Sequence, residues 1–240
     1  MLIFVLFLFV GCSARKKVVD TNVSAEKIFS RAVKAYQTVL YDDAEELFKA
    51  LIQDHPLTDY AVQAQLMLAD IYYSKEEYED AASSYASFVR LHPGHKKAPY
   101  ALFQKGMSHF NLMLSVDRDQ TSTKKALFDF EDLQNSYPES TYMEKSGEMT
   151  KFLRERLAER EFYIGSFYFK DKNYKGALAR FAVILEDFPD CDLLDKTLFF
   201  IARSYEKLGE KELARETYQT LVTRYPNSPY CKGLDDKIKG

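Results

Sequence analysis

The sequence predicts an all-α fold of five helix-turn-helix repeats, and three observations predict it. The first is a recurring triplet: an Ala, an aromatic residue four positions later, and a Pro twelve positions after the Ala. It occurs at Ala44/Phe48/Pro56, Ala81/Tyr85/Pro93, Ala126/Phe130/Pro138, Ala177/Phe181/Pro189 and Ala214/Tyr218/Pro226. The second is a small residue upstream of each triplet. Ala32, Ala69, Gly165 and Ala202 stand twelve positions before their Ala, and Gly106 stands twenty before Ala126. The third is that the flanking apolar residues recur at intervals of three and four, the helical period. Self-similarity on this scale marks an array of stacked units, each too small to bury its own apolar face.

The elements follow in chain order. Residues 2–10 are an unbroken apolar run closed by Gly11-Cys12-Ser13. Such a run is too short for a helix across a bilayer, which needs about 20 residues, and has the length of a signal-peptide core. Phe9-Val10-Gly11-Cys12 resembles a bacterial lipobox, so residues 1–11 read as a lipoprotein signal peptide and Cys12 as the lipidated first residue. Residues 12–24 are polar and aperiodic and read as a flexible tether. The repeat domain then spans 25–240, with repeats at about 25–58, 61–95, 98–140, 143–191 and 194–228 and a short C-terminal cap.

Within each repeat the order is helix A, a short turn, helix B, then Pro. Tyr73 to Tyr78, Phe169 to Tyr174 and Lys207-Leu208-Gly209 read as the turns. The small residue and the Ala mark where the two helices cross closely, and the aromatic fills the space beside the crossing. Pro ends helix B because it lacks an N–H and biases the preceding residue out of helix. Two residues later, Thr58, Ser140 and Ser228 are predicted N-caps of the following helix, and Cys191 takes that slot as a substituted cap. The interval from Pro93 to Pro138 exceeds that from Pro56 to Pro93 by eight residues, an insertion at Ser115 to Ser122 in repeat 3. The interval to Pro189 is longer by fourteen, about four helical turns. Met143 to Lys170 holds no Pro, so repeat 4 is predicted to open with one elongated helix, although Gly147 and Gly165 lower its propensity. This is the tetratricopeptide (TPR) pattern, which stacks into a superhelix.

Composition narrows the function classes. With 36 acidic and 33 basic side chains, the chain is a poor candidate for nucleic-acid binding, which needs a concentrated basic face. Three cysteines are too few for a disulfide framework. Cys191 and Cys231 lie one repeat apart, beyond disulfide reach. A Gly-rich phosphate loop, a His-Glu-x-x-His helix and a serine elbow are all missing, so no catalytic residue, cofactor or metal site is predicted. His55 and His92 are equivalent residues before the repeat Pro, and His92 and His95 flank Pro93-Gly94 in a turn.

In a TPR array the concave wall is lined by the A helices. A helical-wheel projection puts Phe29, Tyr36, Leu66, Tyr73, Phe103, Met107 and Phe110 on that wall in repeats 1–3. Phe162, Ser166, Lys170, Arg203 and Lys207 line it in repeats 4 and 5, a more basic surface. The aromatics either pack between neighbouring A helices or form an apolar partner site.

Further residues carry a family resemblance. Arg90-Leu91-His92-Pro93-Gly94-His95 is followed by Tyr100 and Gly106. Asp117-Arg118-Asp119 sits in the insertion. Leu153, Arg156-Leu157-Ala158 and Glu161 follow on the long helix. Over residues 88–190 this order resembles the BamD (ComL) family of outer-membrane protein assembly factors, with Gln120 where that family carries Pro after Asp-Arg-Asp. The resemblance implies a non-enzymatic accessory lipoprotein of the β-barrel assembly machinery, lipid-anchored on the periplasmic face of the outer membrane. It implies that the C-terminal repeats dock on the last POTRA domain of the barrel-forming subunit. By position Arg180 makes that contact, and Arg203 is grouped with it. It implies that the N-terminal groove receives the C-terminal peptides of unfolded β-barrel substrates, and that other accessory lipoproteins are candidate partners. A different TPR lipoprotein, a scaffold for pilus or secretion-apparatus assembly, is the alternative, and should lack the Asp117-Arg118-Asp119 insertion and the long helix.

Overall fold

The structure, a computed structural model, describes residues 24–232. The predicted signal peptide, Cys12 and all but the last residue of the tether lie outside the described residues. Among those described there are ten α-helices, one 3-10 helix and no strand: α1 (Ala25–Gln37), α2 (Tyr41–Asp54), α3 (Asp59–Ser74), α4 (Tyr78–Leu91), α5 (Ala98–Asn111), α6 (Thr121–Ser136), α7 (Met143–Lys170), α8 (Tyr174–Asp187), α9 (Leu194–Leu208), α10 (Lys211–Arg224) and the 3-10 turn Pro229–Cys231. Odd-numbered helices are the A helices of the repeats and even-numbered ones the B helices. The predicted long helix is α7, 28 residues from Met143 to Lys170.

The A-to-B turns are tighter than the sequence suggests. Tyr73, Tyr78, Phe169 and Tyr174 are all helical, and only residues 75–77 and 171–173 lie between helices. The economy comes from one left-handed residue per turn, at Val39 (φ 62°), Glu76 (61°), Lys172 (63°) and Gly209 (83°). The following N–H donates to the carbonyl five residues back: Leu40 to Ala35, Glu77 to Tyr72, Asn173 to Tyr168 and Glu210 to Tyr205, at 2.9 to 3.0 Å. This is the Schellman closure of a helix C-terminus, and three of its four left-handed positions are not glycine. In repeat 3 residues 112–120 replace that turn, while Thr121 and Ser122 of the predicted insertion already belong to α6.

The B-to-A junctions share a second closure. The N–H two residues past each Pro donates to the carbonyl just before it: Thr58 to His55, His95 to His92, Ser140 to Tyr137, Cys191 to Phe188 and Ser228 to Tyr225. Thr58 also caps as predicted, its Oγ1 accepting the Ala61 N–H at 3.2 Å. Two of the other three are corrected, at Ser140 and Cys191. Ser140 accepts from the Tyr142 N–H at 3.1 Å, but the α7 N-cap is Tyr142 itself. Ser228 caps the terminal 3-10 turn. Cys191 is not the α9 N-cap, which is Leu193; its side chain is buried in the cluster between α8 and α9, where sulfur serves as an apolar filler. Both described cysteines are free thiols.

At every crossing the predicted pair is buried, from Ala32 with Ala44 to Ala202 with Ala214. At two of the crossings the aromatic packs directly on the glycine of helix A. A Cβ added at Gly106 would stand 2.8 Å from Phe130 Cε1, and one at Gly165 would stand 2.5 Å from Phe181 Cε1. Glycine at these two A helices makes room for the ring.

The backbone divides into two compact units within α3, one ending at Leu68 and the other beginning at Ala69. In the first, α1 packs on α2 around Ile28, Ala32, Ala44, Phe48 and Leu51. In the second, each helix from α4 to α10 packs against the next in sequence. One cluster joins α5, α6 and the first half of α7 around Phe103, Phe130, Leu133 and Leu153. Another joins the second half of α7 to α8 and α9 around Ala158, Phe181, Ile184 and Ile201.

Candidate functional site

The residues predicted to line the wall separate by burial. Leu66 is 8% exposed and Phe103 is 5% exposed. Phe103 stacks on Tyr142 at 5.0 Å and lies 5.5 Å from Phe130, so these two side chains are core and offer little surface to a ligand. In the first unit Phe29 is half-buried against Phe48 and Tyr60, with ring centroids at 6.0 and 5.3 Å, and Tyr36 packs on Tyr41 at 5.8 Å. In the second unit Tyr73, Met107 and Phe110 remain half-buried. Phe110 leans on the exposed Phe152 of α7 at 5.6 Å.

Between α3 and α5 of the second unit the surface is more polar than the aromatic pattern suggests. Asp70 Oδ1 accepts the hydroxyls of Tyr85 at 2.6 Å and Tyr100 at 2.8 Å. Gln104 Nε2 donates to the Tyr100 hydroxyl, and Asn111 Nδ2 donates to the Tyr73 hydroxyl at 2.9 Å. Burial pushes the Asp70 carboxyl above the usual carboxylate range, against the lowering pull of the two tyrosines and Lys97. Burial and the Asp70 charge push both tyrosines upward, so they stay protonated donors. Asp70 Oδ2 has no hydrogen bond among the described residues. The signal for this ladder was available in Asp70, Gln104 and Asn111, polar residues at wall positions of the repeat.

The insertion is held rather than loose. Arg156 and Arg160 of α7 donate to the carbonyls of Leu114 at 2.7 Å and Val116 at 2.8 Å. Gln120, 8% exposed, donates to the Ser115 and Arg118 carbonyls and accepts from Thr123 Oγ1. Asp117 and Asp119 are exposed, accepting from Ser115 Oγ and from the Thr121 N–H at the start of α6. These bonds pull both carboxyls below their ordinary range. The Arg118 guanidinium has no ion pair or hydrogen bond among the described residues.

Of the two predicted barrel-subunit contacts, Arg180 on α8 pairs with Glu161 of α7 at 3.1 Å. Arg203 on α9 pairs with Glu206 at 3.5 Å, whose carboxylate also accepts the Tyr218 hydroxyl. Each guanidinium therefore has an internal carboxylate with which a partner would compete.

Sequence reasoning missed one polar cluster altogether. Asp129 of α6 is 1% exposed and accepts from Lys105 Nζ at 2.7 Å and His109 Nδ1 at 2.5 Å. Lys105 and His109 are one helical turn apart on α5, and Asp129 arrives through the α5–α6 packing.

Comparison with known proteins matches this architecture to a family. The family described as YfiO, outer membrane lipoprotein, matches residues 21–220. The outer membrane protein assembly factor BamD of Rickettsia prowazekii is 28% identical over 92% of this chain and 88% of its own. That of Vibrio cholerae is 29% identical over 90% of this chain and 93% of its own, and that of Neisseria meningitidis serogroup A is 29% identical over 86% and 81%. Among solved structures, the TPR2AB domain of yeast Sti1 in complex with pHSP90 aligns over 86% of this chain and 79% of its own, at 18% identity and a TM-score of 0.46. With its family match running from before α1 into α10, the chain belongs to the YfiO family of outer membrane lipoproteins, that of the assembly factor BamD.

Proposed function

We propose that the protein is an outer membrane protein assembly factor, a non-enzymatic subunit of the β-barrel assembly machinery held on the periplasmic face of the outer membrane through a lipid on Cys12. The observation that carries the reading is the family match over residues 21–220. Binding of an unfolded barrel's C-terminal peptide is assigned to the α3–α5 surface of the second unit. Tyr73, Met107 and Phe110 would take its aromatic and aliphatic side chains. Asp70 Oδ2, Gln104 and Asn111 would meet its backbone N–H and C=O groups, which an extended chain must satisfy on leaving water. Arg180, with Arg203, would dock the POTRA domain of the barrel-forming subunit, exchanging internal carboxylates for the partner's.

Titration of a fluorescent barrel C-terminal peptide tests the groove. Tyr73→Ala with Phe110→Ala should weaken binding about tenfold, the loss of roughly 1.4 kcal/mol, with far-UV helicity unchanged; equal affinity removes the groove assignment. In an affinity pull-down from membranes Arg180→Glu should lower recovery of the POTRA-containing subunit, and undiminished recovery removes that contact.

A further inference from the structure

Helices α4, α5 and α6 line an open groove of about 630 Å³, and α8, α9 and α10 line one of about 540 Å³ at the corresponding place two repeats on. Each lies between successive B helices, over the A helix that separates them. The fold itself therefore makes the hollow, and the sequence decides what lines it. In the fifth repeat Ile201, Tyr205 and Thr217 stand at three of its positions. The same repeat positions in the third are Lys105, His109 and Asp129.

That substitution works against stability, because burying ionisable groups carries a desolvation penalty that pairing seldom more than repays. The fifth repeat shows that the architecture does not need it. The cluster also leaves valence toward the hollow. His109 is 8% exposed and its Nδ1 is engaged by Asp129, so Nε2 is its remaining polar atom, with no hydrogen bond among the described residues. At the rim Lys124 and Lys125 are exposed and form no ion pair among the described residues, and Phe128 beside them is 64% exposed. Glu79 of α4 and Asp129 are the acidic groups lining the space, so cations outnumber anions there.

We propose that this hollow docks an acidic segment of a partner protein. A carboxylate side chain enters beside the His109 ring toward the Lys105 ammonium, neighbouring carboxylates meet Lys124 and Lys125, and an apolar residue of the same segment covers Phe128. A protein side chain fits better than an anionic membrane, because Lys105 is tied back to the buried Asp129, with 20% of its side chain exposed, while Lys124 and Lys125 stand exposed at the edge. This inference is independent of the α3–α5 groove and stands whether or not that surface binds peptide.

The test is an NMR titration of the isotope-labelled full chain with the peptide N-acetyl-Glu-Phe-Glu-Glu-amide. Saturable shifts are expected at the His109 ring and at Lys124 and Lys125, with Tyr205 in the fifth-repeat hollow unmoved. The rim double variant Lys124→Glu, Lys125→Glu changes only exposed residues and should keep native helicity while weakening binding about tenfold or more. A Gln-for-Glu peptide should not bind. Equal affinity of wild type and the rim variant, or equal binding of the Gln peptide, overturns the proposal. So does rim-dependent binding to phosphatidylglycerol vesicles with His109 unmoved by the peptide, which would assign the lysines to lipid instead.

Discussion

Asp70 is the residue whose local chemistry is most finely balanced. Its carboxylate is anchored by two tyrosine hydroxyls, which favour the charged form, yet burial outweighs them and its pKa is raised. A raised carboxyl pKa means that the native state holds more protons than the unfolded chain between the unfolded and folded values. Stability therefore falls as pH rises through that window and stays lower above it. Asparagine can accept both hydroxyls through its amide oxygen without carrying charge. The Asp70→Asn variant should accordingly melt at or above the wild-type temperature at pH 7, with the gap closing as the solution is acidified toward the range where the wild-type carboxyl is protonated. Thermal melts by circular dichroism at pH 7 and pH 4.5 measure this. A wild type that melts higher at pH 7 would show that charge-assisted tyrosine bonds outweigh desolvation here. An Asn variant that melts higher instead would mean that the charge costs stability, as expected of a carboxylate kept for binding through Oδ2.

At the scale of the helix pair, glycine serves two different purposes, and substitutions separate them. Gly209 ends α9 at φ 83° with open space where a Cβ would go, so Gly209→Ala should cost about 1 kcal/mol from backbone strain alone. Gly165 has ordinary helical geometry but faces Phe181, which is fully buried. Gly165→Ala gains about 1 kcal/mol of helix propensity and loses about 1–3 kcal/mol to overpacking. A net loss near 1 kcal/mol is expected, and Gly165→Ala with Phe181→Leu should recover part of it. Urea denaturation resolves both. The same contrast explains what the sequence discloses. Crossings, ring positions and the α7 length are legible because each depends on one residue type at a fixed interval. The left-handed residues at Val39, Glu76 and Lys172 are not, because side chains other than glycine tolerate that conformation when the Schellman bonds are made. The site was legible to a similar depth. An aromatic wheel position predicts a wall, but whether Phe103 faces a ligand or Tyr142 depends on where α7 begins, and the Lys105–His109–Asp129 cluster depends on the register between α5 and α6.

In the second unit helices touch mainly their neighbours in sequence, and such arrays couple their repeats through nearest-neighbour interfaces. The elongated α7 adds a covalent, helical coupling to that packing. Its first half supplies Leu153 to the cluster with α5 and α6 and, just beyond, clamps the insertion through Arg156 and Arg160. Its second half supplies Ala158 and Phe162 to the cluster with α8 and α9. Arg154 ties the first half forward as well, donating to Asp190 and to the Asp187 carbonyl at 2.8 Å. If repeats 3 and 4 unfold together because one continuous rod enters both cores, interrupting the rod at an exposed position between them should uncouple them without removing any core side chain. Glu159 is exposed just beyond Ala158, and a proline there breaks the preceding turn, residues 155–158, which links the two cores. In the Glu159→Pro variant the N–H to the Glu155 carbonyl is lost and the ring collides with that carbonyl, at a cost of about 3 kcal/mol or more. Calorimetry should then show two transitions where the parent shows one. Hydrogen exchange should assign the lower-melting part to one side of residue 159. A single transition, merely displaced to lower temperature, would mean that side-chain packing across α6 and α7 and the Arg154–Asp190 tie carry the coupling without the rod.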